Sequence, residues 1–222
     1  MPRQNPLINL GLNLLLRHYL QKEESATKRE SSVPELSEIP SIIELQKKQG
    51  AVVTILGKRE SGKTVCAYRI AQIIGRPTYS VSPEQSPPQG VEELKLEQLE
   101  TLPPPFSTLL LDDLPAYMGS RDYQDAFVQT VEKIIPVVRH KRKLILIFIS
   151  QTSAQADKWV MDCDLVIMKP MGWLYPEVER PAVKKLADKV MPIFRQMTES
   201  QQKKHCFIFS DAYSGLARID IQ

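Results

Sequence analysis

The sequence has few cysteines and lacks a long run of apolar residues. Its three cysteines are Cys66, Cys163 and Cys206, and no two of them form a C-x-x-C pair. This spacing indicates neither a disulfide framework nor a zinc site, so we expect a reducing, cytoplasmic compartment. No apolar stretch approaches the roughly 18 to 20 residues that cross a bilayer. Residues 7–16 are the longest candidate near the start, but asparagines interrupt them and no secretory cleavage site follows.

The sequence also lacks internal repeats, low-complexity tracts and a strong excess of one charge. Its net charge is +3 at pH 7, which permits an anionic partner without indicating one. With 222 residues, of which 42% are hydrophobic, the chain can bury one substantial core. These values predict a single α/β domain with extensions.

A strand followed by a phosphate-binding loop is the strongest pattern in the chain. Residues 51–64 read AVVTILGKRESGKT, an apolar β-branched run that leads into a polar loop. The loop matches G-x-x-x-x-G-K-[ST] in full, the spacing at which backbone N–H groups surround nucleotide phosphates. The helical pattern that follows favours an anion at its N-terminus. We therefore predict an ATP site formed by Gly57, Lys58, Arg59, Glu60, Ser61, Gly62, Lys63, Thr64 and Val65.

An acidic strand end supplies the predicted magnesium site. Residues 107–114 read STLLLDDL, a buried-strand pattern that ends in two aspartates, as in a Walker B element. Together with the hydroxyl of Thr64, Asp112 is our predicted Mg²⁺ ligand. Asp113 is the candidate base that orients or deprotonates the attacking water. Because its side chain is one methylene shorter than the more usual glutamate, Glu60 in the loop stays a second candidate.

A basic run and a glutamine flank another apolar strand. Residues 139–143 read RHKRK, and the strand pattern LILIFISQT follows directly. In a parallel sheet the ligand lies at the carboxyl ends of the strands. Gln151 should therefore face the γ-phosphate, while Arg139 and Arg142 lie at the opposite end. Cations at that end are badly placed to contact the nucleotide of their own subunit. They are better placed to contact the nucleotide of an adjacent subunit in a ring.

Composition divides the chain into an N-terminal helical extension and linker (residues 1–49) and a P-loop ATPase domain (residues 50–222). The extension holds an amphipathic helix, a polar linker over residues 22–38 and a short helix after Pro40. In the domain we predict strands over residues 77–82 and 164–169. We also predict a loop with a short helix over residues 83–105, helices over residues 121–138 and 181–197, and a closing hairpin. The expected fold is a mostly parallel sheet of the RecA/ASCE type with a C-terminal β-hairpin.

These motifs together resemble the FtsK/HerA superfamily of ring ATPases. The most specific part is RHKRKLILIFISQ, an arginine segment, a strand and a terminal glutamine. Within that superfamily the short chain resembles the genome-packaging ATPases of internal-membrane icosahedral viruses, and more distantly the Zot-like assembly ATPases of filamentous phages. The resemblance covers about residues 50–221.

The resemblance implies an ATPase that moves double-stranded DNA through a homo-oligomeric ring of five or six subunits. Gln151 would sense the γ-phosphate, and Arg139 or Arg142 would act as an arginine finger in a neighbouring subunit. The protein would work in the host cytoplasm and be associated with the virion. Its N-terminal helix would contact capsid-vertex or membrane proteins. Lysines available for contacts with DNA phosphates are Lys141, Lys143, Lys158, Lys184, Lys185, Lys203 and Lys204.

Three other functions fit parts of the pattern. A Zot-like assembly ATPase would use the N-terminal helix as its docking element. A P-loop kinase for a small molecule fits the length and fold class, but residues 152–162 carry a single cation where a kinase lid normally carries arginines. A module that binds nucleotide without hydrolysing it would share only the phosphate-binding loop with these enzymes.

Overall fold

The structure is a computed structural model of the chain. It describes residues 33–82, 86–95, 98, 103–112, 142–151, 163–179 and 181–220. The chain divides into two compact units, Met1–Pro34 and Glu35–Gln222, and the second unit contains the fold described below.

A sheet of eight strands forms the centre of the described residues. The strands are β1 (Ala51–Leu56), β2 (Thr78–Val81), β3 (Val91–Glu93), β4 (Thr108–Asp112), β5 (Ile145–Ser150), β6 (Leu165–Met168), β7 (His205–Phe209) and β8 (Ser214–Arg218). Their order is β3-β2-β4-β5-β1-β6-β7-β8. The first six strands run parallel, and β7 and β8 are antiparallel additions that form a hairpin. The predicted fold class is therefore confirmed.

Apolar side chains alternate between the two faces of this sheet, as the period of a strand requires. In β1, Val52 and Leu56 face one hydrophobic cluster, whereas Val53 and Ile55 face the other. Both faces are covered, which explains why the parallel strands read as continuous apolar runs in the sequence. A layer of helices therefore packs on each face of the sheet, and a ligand site is expected at the ends of the strands.

The described helices are a 3₁₀ turn (Leu36–Glu38), α1 (Pro40–Leu45), α2 (Lys63–Ile74), α3 (Tyr175–Val178), α4 (Pro181–Arg195) and α5 (Glu199–Lys204). Helix α2 ends at Gly75, whose φ of 72° suits glycine at a helix C-terminus. Its apolar side packs on one face of the sheet. Helix α4 has buried positions at helical spacing and packs on the other face. The predicted strands β2 and β6, helix α4 and the closing hairpin all form.

Two details differ from the predictions. Residues 91–93 form edge strand β3, paired with β2, where we predicted the start of a short helix. Leu36, Ile39 and Ile42 are fully buried in the same cluster as α2, so this part of the predicted extension packs within the Glu35–Gln222 unit.

Several predicted features lie outside the described residues. They include the amphipathic helix near the start, the helix over residues 121–138, Asp113 and Arg139. Among the described residues, no helix combines the length and the apolar character that crossing a membrane requires.

Candidate functional site

The loop between β1 and α2 has the shape expected of an anion-binding loop. Glu60 and Gly62 both have left-handed backbones, with φ of 59° and 85°. Left-handed residues next to right-handed ones turn successive N–H groups towards a common point, which forms a concave anion site. Gly62 is also the N-cap residue of α2, so the positive end of the helix dipole faces the same place.

Lys63 lies inside this loop. Its side chain is 7% exposed, and its Nζ donates a hydrogen bond to the carbonyl oxygen of Lys58 at 2.8 Å. The Ser61 N–H donates to the same carbonyl at 3.4 Å. These bonds close the loop on itself and hold the ammonium group within its curve. From there the lysine can exchange a carbonyl partner for a phosphate oxygen.

The predicted magnesium ligands contact each other. The hydroxyl of Thr64 donates to Oδ2 of Asp112 at 2.9 Å, which joins the first turn of α2 to the end of β4. A hydroxyl and a carboxylate are oxygen ligands of the kind that Mg²⁺ prefers when it also binds substrate phosphates. The two residues therefore fit a magnesium ion next to the loop.

Gln151 lies at the same edge of the sheet. In the register of the parallel strands, Ser150 is opposite Leu56, and its carbonyl accepts a hydrogen bond from Gly57 N at 3.3 Å. Because Gln151 follows Ser150 directly, it is next to the beginning of the loop. The structure thus brings Gln151, Asp112 and the loop to one edge.

Glu60 and Arg59 lie at the exposed tip of the loop. They line a pocket of about 130 Å³ between the loop and α5, together with Lys58, Ser61, Pro170, Glu199, Gln202 and Lys203. Two of these lining residues, Lys203 and Glu199, form an ion pair at 3.1 Å. Val65, the last predicted loop residue, is 47% exposed.

Arg142 lies at the opposite end of β5 from the loop, as predicted. The strand's six residues alone span about 17 Å, which is too far for this side chain to reach its own loop. The neighbouring Lys143 has its Nζ 5.1 Å from the centre of the Phe106 ring. If Arg142 acts on a nucleotide, that nucleotide must belong to another chain.

Lys169 and Pro170, which we did not predict, also contact the loop. The carbonyl of Pro170 accepts a hydrogen bond from Lys58 N at 2.8 Å, and Lys169 N donates to the carbonyl of Leu56 at 2.7 Å. The signal in the sequence was a lysine directly after the apolar pattern LVIM, at the carboxyl end of a strand in a parallel sheet. Such ends converge on the ligand edge.

Gly57→Ala should destabilise the protein by about 1 to 3 kcal/mol and weaken nucleotide binding. A Cβ at Gly57 would lie 2.6 Å from Lys169 Cβ and 2.9 Å from Ser61 Oγ, so the loop would have to move. Urea unfolding and binding of an ATP analogue measure both effects. Gly172→Ala is the matched control, because its Cβ would meet nothing within 4 Å. Equal stability of the two variants would contradict the prediction.

The structure is similar to that of a viral packaging enzyme. The genome packaging NTPase B204 from Sulfolobus turreted icosahedral virus 2, in complex with sulfate, matches with a TM-score of 0.51 and 13% identity. The alignment covers 79% of this chain and 99% of that one. This likeness and the complete loop motif decide the fold. The chain has a P-loop NTPase fold.

Two further solved structures are similar to this P-loop NTPase fold. The DNA-packaging ATPase B204 from Sulfolobus Turreted Icosahedral Virus has a TM-score of 0.49 and 12% identity, and the alignment covers 78% of this chain and 99% of that one. B204 of virus 2 in complex with ATP-gammaS has a TM-score of 0.48 and 13% identity, with coverage of 78% and 97%. No protein-family model matches the chain, and no curated protein matches it.

Proposed function

We propose that the protein is a Mg²⁺-dependent ATPase that moves double-stranded DNA, and that it packages a viral genome. The observation that carries the proposal is the site at the sheet edge, where Lys63 lies inside the loop and Thr64 contacts Asp112. The likeness of the fold to a genome packaging NTPase adds support.

The chain's own residues account for binding and orientation of the triphosphate. Backbone N–H groups of residues 57–65 would surround the phosphates, and Lys63 would neutralise charge on the β- and γ-phosphates. Thr64 and Asp112 would hold Mg²⁺, which when bound neutralises the charge that develops on the phosphates. Gln151 would orient water near the γ-phosphate. The base is Asp113 or Glu60.

A homo-oligomeric ring of five or six subunits completes the proposal. The position of Arg142, far from its own loop, favours action across a subunit boundary, and Arg139 is the alternative finger. Lysines would contact the DNA backbone without reading its sequence. We place the motor in the host cytoplasm and in association with the virion, with the N-terminal segment contacting capsid-vertex or membrane proteins.

Translocation is tested by displacement of a third strand from a long DNA duplex. The protein with ATP and Mg²⁺ should release a labelled triplex-forming oligonucleotide, whereas Lys63→Ala should not. Release should fall steeply with salt, because contacts with phosphate displace counterions. ATP hydrolysis without release, under conditions where DNA binds, would favour the assembly ATPase. Flotation with liposomes, with and without residues 1–20, would then test for membrane docking.

A further inference from the structure

Lys169 is a buried lysine directly behind the phosphate-binding loop. It follows β6 directly and is 0% exposed. By volume it is one of the largest fully buried side chains among the described residues. Lysine is almost never fully buried unless its charge is paired. Its surroundings therefore have to explain why a cation is kept at this position.

On one side, the ammonium group caps the end of α5. Lys169 Nζ donates to the carbonyl oxygens of Gln202 at 3.0 Å and Lys203 at 2.8 Å, and also to that of His205. These carbonyls belong to the last turn of α5 and the start of β7, where the helix dipole is negative. All three N–H donors are used, and each described partner is a carbonyl oxygen rather than a carboxylate.

On the other side, Lys169 lies against both glycines of the loop motif. Its Cβ lies 2.6 Å from where a Cβ on Gly57 would be, and its Nζ lies 3.6 Å from the corresponding position on Gly62. Its backbone N–H donates a hydrogen bond to the carbonyl oxygen of Leu56, the last residue of β1. One side chain therefore joins the back of the loop to the junction of α5 and β7.

The charges around Lys169 favour an anion at the loop. Burial lowers the pKa of Lys169, and the positive charge of Lys63 also lowers it. Cys66 and Cys206 act in the opposite direction. Two cations thus repel each other across the loop backbone. A phosphate on the open side of the loop would reduce that repulsion. Phosphate should therefore bind more tightly while Lys63 and Lys169 are both charged.

We infer that Lys169 is a positioning residue for the bound phosphates. Its charge acts from behind the loop, and its three hydrogen bonds hold the loop glycines against the α5–β7 junction. The inference rests on the proposed binding of nucleotide at this loop. It predicts that the α5–β7 junction responds when the loop is filled.

Neutral substitutions test the charge. Lys169→Met removes charge and donors, and Lys169→Gln keeps two donors without the charge. Each should bind a non-hydrolysable ATP analogue about ten-fold more weakly, as expected for the loss of one unit charge behind the loop at a partly screened site. AMP, which carries less charge, should lose less affinity. Lys169→Arg, which keeps charge and donors, should recover most of the affinity for the ATP analogue.

The KM for ATP should rise about ten-fold in the neutral variants, with a smaller change in kcat. A purely structural role would lower the melting temperature but leave the ratio of ATP-analogue to AMP affinity unchanged. Folded Met and Gln variants that keep the wild-type ratio would overturn the inference. Wild-type protein that fails to bind the analogue would instead refute the proposed function, so the two failures are distinguishable.

A measurement on the wild-type protein decides the matter if the neutral variants do not fold. Amide hydrogen exchange is recorded with and without the ATP analogue. Exchange at the α5–β7 junction, residues 202–206, should slow together with that of the loop, because Lys169 connects the two. Slower exchange in the loop with unchanged exchange at the junction would overturn the inference.

Discussion

Lys63→Ala should lower the rate of ATP hydrolysis about 10²- to 10³-fold, the usual loss when one preorganised donor to the reacting group is removed. Lys63 is held in the curve of the loop by a 2.8 Å bond to Lys58, so its ammonium group needs little rearrangement to reach a phosphate. Alanine supplies no replacement charge. Steady-state release of phosphate at saturating ATP measures the effect.

The matched control for this substitution is Lys189→Ala, which removes an exposed lysine on α4. That variant should hydrolyse ATP at the wild-type rate, because α4 packs on the sheet through its other side. Wild-type hydrolysis by Lys63→Ala would mean that the chemistry takes place elsewhere. The proposed site would then be wrong, although the fold would stand.

Arg142→Ala should lower hydrolysis about 10³-fold or more if this residue is the finger, since such residues contribute roughly 10³ to 10⁵ in rate. The expected signature is complementation between subunits. Arg142→Ala keeps an intact loop, and Lys63→Ala keeps an intact arginine. Mixed rings of the two inactive variants should therefore regain part of the activity, because some sites combine a good loop with a good arginine.

The mixing ratio makes this prediction specific. Recovered activity should peak at an intermediate ratio of the two variants and vanish when either is alone. The same mixture with Arg139→Ala tests the other candidate. Absence of recovery at every ratio for both arginines would contradict the assignment of a finger that acts in trans.

The loop, the strand before it and the helix after it were predictable because their signals are local. A β-branched apolar run, two glycines at fixed spacing and a helical pattern all lie within residues 51–74. We predicted Thr64 and Asp112 as ligands of one Mg²⁺ ion, and the structure brings them together because parallel strands end at one edge. The roles of these residues in catalysis stay predictions.

The features that were not predicted depend on distant parts of the chain. The acidic stretch after Gly90 has a helical pattern. Its first residues, 91–93, instead pair with β2 at the edge of the sheet and form β3, with Val91 opposite Thr78. The burial of Lys169 depends on carbonyls more than 30 residues away, at the end of α5. The inclusion of Leu36 and Ile42 in the core depends on contacts with α2 that composition does not reveal.

Steady-state ATP hydrolysis with and without long double-stranded DNA, over a range of protein and salt concentrations, tests the central claim most directly. A DNA motor that acts as a ring should be stimulated by DNA, more strongly per subunit as the protein concentration rises, and less as salt is added. Hydrolysis that is indifferent to DNA and independent of protein concentration would contradict a DNA-translocating ring. It would point instead to a monomeric kinase-like enzyme or to an assembly ATPase that requires a protein partner.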